Sequence, residues 1–521
     1  MGVKAEGIGK VMVMAKVRKS CSILELPLRT EKWQADKINT QMECARKIYN
    51  SMLAYYKNNY DQMTRTRAWR NNMAVIRDEL QRGQEPADKG KSKKVVTSAL
   101  QSAYDMKNQM MRSYGFSDFD MQAKAIDFSQ FYRKNISTST AALSIGVPMW
   151  KSFEALFFGN GEQVHFKKMG DCPSLVSNNK SGIRFLQMDD GKYYVVISNR
   201  KAHAKTLTIP VMGPSTAWEV QMLHNSSIKQ TRIVRRYEKS KTAFYVQLCV
   251  DKAPVTKRDL EGNEKHTVGS GVVGIQIWNS ELYAVSDNEI FHVNLLAGSD
   301  EFEKRRSELT KELTYLRQVN NPDNFEEDGQ IKRGIIDENG KRQKLNWHYS
   351  NHYYQVKNEL RELYRVNDER KKIMRNRVVW QLLSMGDHFV FADCSFRNDK
   401  PEWDEENPLP QGEYRKKKKK RKSIQEGAPA ALLTRLDAKL TDFQLEKVQR
   451  YIIPDELYWY SHERGVSDQS LFQPGADIVV CGKVIKQTLY RAFLIRHFAE
   501  TTHYDQKALT EEWEHFLSLI K

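Results

Sequence analysis

The sequence predicts an α+β multidomain chain: a helical region, a β-rich region shaped as a small barrel, and an α/β domain carrying a long helical insertion. Three observations predict it. From Glu31 apolar residues recur every three or four positions, and helical patterns continue to about residue 158. Between 162 and 253 short apolar or alternating runs are separated by turn signals, as in strands. Residues 268–287, VGSGVVGIQIWNSELYAVSD, read as strand, bend and returning strand, and helical periods then resume as far as Met385.

Taken in order, residues 10–28 read as one or two strands. Ile38, Met42, Ala45, Tyr49, Met52 and Tyr56 share one face of a long helix punctuated by Lys37, Arg46, Lys47 and Lys57. Gly83–Lys93 is polar, carries Pro86 and Gly90, and reads as a loop. Trp150–Gly159 closes the helical region, and its Phe153, Phe157 and Phe158 are assigned to the core. Strands are expected at Tyr193–Ser198, Leu207–Val211, Trp218–Leu223, Ile228–Arg236 and Ala243–Val250. In the next stretch Val272, Val273, Ile275 and Ile277 form one strand and Tyr283, Ala284 and Val285 another. Gly274 and Trp278–Asn279–Ser280 are expected to supply the bend. Helices follow at Glu301–Arg317 and Tyr353–Met385, separated by a polar loop over Asn320–Asn346.

The chain has 521 residues, enough for more than one domain. It carries 83 Lys and Arg against 65 Asp and Glu, a formal charge of +18, which points to a polyanionic partner. Charge alone would equally suit a ribosome-associated or membrane-surface protein. No apolar run is long enough to span a membrane, and the N-terminus lacks the apolar core of a signal peptide. Six cysteines are scattered singly with no Cys-x-x-Cys pair, so neither a zinc ribbon nor a disulfide framework is expected. A reducing compartment follows: the cytoplasm, at the bacterial nucleoid.

Four stretches carry a resemblance: WKSFEALFFG, GIQIW, the segment from KNELRELYRVNDERKKIMRN through HFVFADCSF, and KQTLYRAFLIRH. They resemble TnpB-like, RuvC-domain RNA-guided proteins, and among these best suit a nuclease-inactivated miniature type V-F CRISPR effector. The resemblance implies first wedge-domain strands at 1–30, an inserted helical recognition domain at 31–161 and a wedge β-barrel at 162–267. It implies a degenerate RNase H-like (RuvC) domain at 268–521, with a helical insertion at 297–385 and a vestigial zinc-ribbon region at 455–483.

Cleavage in this family is a two-metal hydrolysis, and Mg²⁺ demands anionic oxygen ligands. The resemblance places those ligands at three positions: Gln276 in GIQIW, Ala392 in HFVFADCSF and Thr488 in KQTLYRAFLIRH. All three acids are missing. The last match is the most specific, because Leu489, Tyr490, Ala492, Phe493 and Leu494 agree with the family string Asp-Leu-Tyr-Ser-Ala-Phe-Leu. One amide, one hydroxyl and one methyl cannot hold two divalent ions. Asp393 is adjacent but should point to the opposite face of its strand. Mg²⁺ is therefore not expected at this site, nor is zinc, since the ribbon region retains only His462 and Cys481.

Basic residues are expected on nucleic-acid phosphates: Lys229, Arg232, Arg235 and Arg236 on one strand, Lys371, Lys372, Arg375 and Arg377 on the long helix, and Arg415, Lys416, Lys417 and Lys418 in the densest basic run. The resemblance implies guide RNA and double-stranded target DNA as partners, an R-loop at guide-matched sites, and a homodimer as an option. Binding without cutting implies transcriptional regulation, chiefly by recruiting an extracytoplasmic-function sigma factor and RNA polymerase. Promoter occlusion by a guided repressor is the alternative. An active nuclease with relocated ligands and a general basic RNA-binding protein are the remaining readings.

Overall fold

A computed structural model describes residues 21–82, 97–158, 161, 163–198, 206–224, 227–238, 241–251, 256, 263–278, 280–332, 345–392, 403–408, 414–416, 427–451, 460–468, 476–498 and 504–520. The expected loop at Gly83–Lys93 and the strands before residue 21 lie outside the described residues, as do Asp393, Lys417 and Lys418. The chain divides into two compact units, Met1–Arg236 with Lys241–Pro254, and Tyr237–Ser240 with Val255–Lys521.

In the first unit strand β1 (Cys21–Pro27) precedes α1 (Lys32–Arg65), α2 (Arg67–Arg82), α3 (Ser98–Ser113), α4 (Asp118–Ser129), the short α5 (Thr138–Ala141) and α6 (Val147–Phe157). Helix α1 buries the six expected residues Ile38, Met42, Ala45, Tyr49, Met52 and Tyr56. Its start is fixed by the Glu31 amide, which donates to Gln34 Oε1 at 2.9 Å, the reciprocal half of a capping box. Tyr56, Phe116, Phe153 and Phe157 pack ring on ring in the helical core. Phe158 does not join them. It is exposed, with Lys107 Nζ over its ring, because neighbouring helix positions diverge by about 100° and one face cannot bury both 157 and 158.

The β-rich part follows: β2 (Ser174–Asn178), β3 (Ile183–Gln187), β4 (Tyr193–Ile197), β5 (Leu207–Pro210), β6 (Ile228–Glu238) and β7 (Lys241–Asp251). They form a four-stranded sheet in the order β1-β7-β6-β2 and a three-stranded sheet β3-β4-β5. Among the described residues an isolated backbone bridge, Leu28 to Val211, links the two. The expected barrel is therefore open: among the described residues no sheet closes on itself.

The strand expected at Trp218–Leu223 is instead helix α7 (Ala217–His224). Thr216 Oγ1 accepts from the Glu219 amide at 3.2 Å, and Glu219 Oε2 accepts from the Ser215 and Thr216 amides at 2.6 and 3.1 Å. This Thr-x-x-Glu capping box outweighs the apolar content of the run.

The second unit is built on a five-stranded sheet of β8 (Val272–Trp278), β9 (Glu281–Val285), β10 (Ile290–Asn294), β11 (His388–Ala392) and β14 (Gln449–Tyr451), ordered β10-β9-β8-β11-β14. The first three strands form an antiparallel meander, whereas β11 runs parallel to both β8 and β14. Helices α8 (Ser299–Val319) and α9 (Asn351–Met385) intervene between β10 and β11. Strands β12 (Trp403–Pro408) and β13 (Tyr414–Lys416) pair beyond β11, and α10 (Pro429–Asp442) precedes β14. Short strands β15 (Tyr460–Ser461), β16 (Val466–Ser467), β17 (Asp477–Val480) and β18 (Lys483–Lys486) lead to α11 (Gln487–Arg496) and α12 (Gln506–Leu519).

Alternation along the central strands divides the core in two. Val273, Ile275, Ile277, Phe389 and Phe391 pack with Val378, Leu382 and Leu383 of α9 and Leu432, Leu433 and Leu436 of α10. Val390 and Ala392 pack on the other side with Leu489, Tyr490, Ala492 and Phe493 of α11 and Trp513 and Phe516 of α12.

Gly274 lies inside β8, not at its bend: it pairs with Val285 on one side and Val390 on the other. The bend falls between β8, which ends at Trp278, and β9, which starts at Glu281.

Candidate functional site

The three positions where the resemblance leads one to expect acids share one wall of the second unit. Gln276 falls two residues after Gly274 and so faces the same side of β8. Phe391 pairs with Ile275 in the parallel register, so the next residues, Ala392 and Gln276, are neighbours at the ends of their strands. Thr488 lies one helical turn before Ala492, whose backbone sits on Gly274. Gln276, Ala392 and Thr488 are 2, 3 and 4 % exposed, so the wall is closed to solvent.

The donors on this wall do not fit magnesium. Gln276 supplies a neutral amide, whose nitrogen donates to the Ile277 carbonyl at a long 3.4 Å, Thr488 a hydroxyl, and Ala392 nothing. A hard divalent ion is held by carboxylates, and no acidic residue occupies the first turn of α11. Among the described residues no three His, Cys, Asp or Glu side chains converge into a metal site. Asp393, next to Ala392, lies outside the described residues.

His462 and Cys481, in the segment expected to be a vestigial ribbon, meet near the start of α11. His462 is buried; its Nδ1 lies 2.8 Å from the Tyr490 hydroxyl, which also accepts from the His462 amide at 3.1 Å. Its Nε2 lies 3.6 Å from Cys481 Sγ. Burial holds the imidazole below its usual pKa and pushes the Tyr490 phenol upward. His462 thus meets Cys481 and ties its loop to Tyr490 of α11.

The four basic residues of β6 do not form one face. Lys229 and Arg235 lie on the side of buried Thr231 and Ile233, and Arg232 and Arg236 lie on the other. Lys229 pairs with Asp251 at 3.3 Å. Arg235 donates to Asn39 Oδ1 at 2.8 Å and to the Gly170 carbonyl at 2.9 Å. Arg236 pairs with Glu25 at 2.5 Å and lies over the Tyr245 ring. Three of the four are therefore engaged within their own unit.

On α9, Lys372 and Arg375 line a groove with Arg435 and Thr434 of α10, and Arg435 donates to Asn376 at 3.0 Å. Arg377 lines a different face with Arg370, Val366 and Ile373. Lys371 is half-buried. Arg415 and Lys416 belong to β13.

Two adjoining cavities in the first unit were not foreseen. One is lined by Lys37, Thr40, Lys134 and Thr140, the other by Arg133, Ser139, Lys180 and Arg184, and both by Ile136, Ser137 and Ser198. Neither has an Asp or Glu in its lining among the described residues. The Ser137 and Thr140 hydroxyls are 2.8 Å apart, and those of Ser139 and Ser177 are 2.5 Å apart. Gly182, at φ +78°, lets the β2–β3 turn approach them: a Cβ there would meet Ser177 Oγ at 2.6 Å. The signal in sequence was the hydroxyl run Ser137–Thr140 shortly after Arg133-Lys134.

Residues 28–65 match the helix-turn-helix domain model HTH_OrfB_IS605, of the TnpB family. The chain is similar to the miniature, TnpB-like type V-F effectors. The matched stretch begins just after β1 and takes in the whole of α1. Two solved structures are similar at low identity. The cryo-EM structure of a Cas12f1–sgRNA–target DNA complex is 9 % identical, with 91 % of this chain and 98 % of that chain covered and a TM-score of 0.41. The cryo-EM structure of a CRISPR–Cas12f ternary complex is 9 % identical, with 93 % and 100 % covered and a TM-score of 0.22. No curated protein matches the chain.

Proposed function

We propose that this TnpB-like chain is an RNA-guided DNA-binding protein that does not cleave its target, and that target occupancy is its output. The observation that carries the reading is the closed wall of Gln276, Ala392 and Thr488. Three positions that the family fills with carboxylates are brought together here with no carboxylate among them. The sheet order β10-β9-β8-β11-β14, an antiparallel meander followed by two parallel strands, supports reading the second unit as RNase H-like. The wall lies at the strand ends of β8 and β11 where that reading puts the reaction centre.

The surrounding chemistry supports polyanion binding. A formal charge of +18, the Lys372–Arg375–Arg435 groove and the cavities around Ser137, which no acid lines among the described residues, all favour phosphate. Guide RNA would read the target by pairing while the protein holds the backbone. The regulatory output is transcription, by recruitment of a sigma factor and RNA polymerase at the bound site.

The test is to sequence the RNA that purifies with the protein and then place its matching target upstream of a reporter. RNA with one constant scaffold and variable guide ends supports the reading. A reporter that rises only with a co-expressed sigma factor supports recruitment, and one that falls without it supports occlusion instead. Heterogeneous cellular RNA with no common scaffold contradicts guided binding.

A further inference from the structure

The cations around Ser137 differ from those of β6. Lys37, Lys134, Lys180 and Arg184 line the two adjoining cavities of the first unit, and among the described residues none of them pairs with a carboxylate. Arg184 goes further: its Nε is buried and has no hydrogen-bond partner. Buried donors are nearly always partnered, because an unmade bond leaves the cost of desolvation uncompensated. An anion accepting from Arg184 would remove that cost.

The hydroxyls nearby keep a donor free. Ser137 Oγ accepts from the Thr140 amide at 3.2 Å and lies 2.8 Å from Thr140 Oγ1. Two hydroxyls joined by one hydrogen bond carry two protons, so one proton is left to donate. Gly182 keeps this corner open: a Cβ there would meet Ser137 Oγ at 2.7 Å and Thr140 Oγ1 at 3.0 Å. The lining also has an apolar part. Ile136 borders both cavities, and Ile197 and Leu207 border the first. The cavities measure about 260 and 400 Å³, and together they reach the size of a small-molecule site.

Unpaired cations, a free hydroxyl donor and an apolar wall suit a phosphate that carries an organic group. We propose that the two cavities form one site for a phosphate ester of nucleotide size, with Arg184 as its anchor and Ile136 against the organic part. Two sources supply such an ester: a free nucleotide, or one nucleotide of a strand. The inference deepens the polyanion reading above and rests on it for the strand source alone. Whether the second unit cuts DNA does not bear on it.

The experiment is equilibrium binding to the full chain freed of nucleic acid. The probes are adenosine 5′-monophosphate, adenosine and a short labelled single-stranded DNA. The proteins are the wild type, Arg184→Gln, and Lys192→Gln in the turn at the far end of β3. With a free nucleotide as the source, the monophosphate binds the wild type at least tenfold tighter than adenosine does. With a strand as the source, only the DNA binds. In either case Arg184→Gln is expected to weaken binding at least tenfold and Lys192→Gln to leave it unchanged. Without ligand, Arg184→Gln is expected to keep or raise the melting temperature, since it removes a buried donor that has no partner. A fall would assign Arg184 to the fold and overturn its role as anchor. Equal affinity of wild type and Arg184→Gln for both phosphate probes overturns the proposal. So do equal losses in Arg184→Gln and Lys192→Gln, or no binding of either probe. Should Arg184→Gln not fold, Lys134→Gln with Lys180→Gln, both at exposed positions, is expected to show the same loss. Monophosphate binding through Arg184 in a protein that carries no constant RNA scaffold would leave this site standing while the guided reading falls.

Discussion

Gly274 lies directly beneath the Ala492 carbonyl: a Cβ at 274 would come within 2.2 Å of that oxygen and 2.8 Å of the Arg496 nitrogen. No side chain fits between β8 and α11 at this crossing. Gly274→Ala is therefore expected to lift α11 off the sheet, at an overpacking cost of about 1–3 kcal/mol or more. Denaturant titration checks this, and a variant as stable as the wild type would show that the helix does not sit so close.

The Tyr490 hydroxyl serves two groups of His462, its amide and its Nδ1. Tyr490→Phe leaves buried polar atoms without that partner and is expected to cost about 1–3 kcal/mol. Because His462 and Tyr490 satisfy one another directly, prolonged chelation should leave the melting temperature of the wild type unchanged. A drop on chelation, restored by zinc, would contradict the account.

Burial lowers the pKa of His462. The unfolded chain takes up a proton near pH 6.5, whereas the folded chain resists it, so this group favours folding above pH 6.5 and loses that contribution as pH falls below it. His462→Gln should flatten the stability curve between about pH 7.5 and 5.5 relative to wild type. Parallel curves would assign the acid sensitivity to other groups.

Basic residues should separate into two classes. Alanine at Lys372, Arg375 and Arg435 is expected to weaken RNA or DNA binding and to reduce the slope of log K against log salt by roughly 0.7–0.9 for each phosphate no longer neutralised. Arg236→Ala, which breaks the pair with Glu25, should lower stability while leaving that slope unchanged. Filter-binding titrations across salt concentrations distinguish the two.

Much of the architecture is legible in the residues. The α1 stripe, the strands β4–β7 and the helices α8 and α9 follow from apolar period alone. What misleads is local chemistry that period does not express. The Trp218–Leu223 run looks like a strand until the Thr216–Glu219 cap is noticed, and Gly274 looks like a bend because the helix that needs it lies far along the chain, at Gln487–Arg496. The neutral positions Gln276, Ala392 and Thr488 are visible only through the family pattern around them. Their convergence on one wall follows from the β8–β11 register. For the β6 cations spacing shows that they are basic, and the structure adds that Asp251, Asn39 and Glu25 engage three of them.

The central claim is that this protein holds its target without cutting it. The most direct measurement is to incubate the protein, loaded with its own RNA, with end-labelled matching DNA and Mg²⁺ or Mn²⁺, and to follow binding and strand integrity in one reaction. The account predicts a shifted complex from which intact strands are recovered. Metal-dependent cleavage products, absent when the metal is chelated, would contradict it.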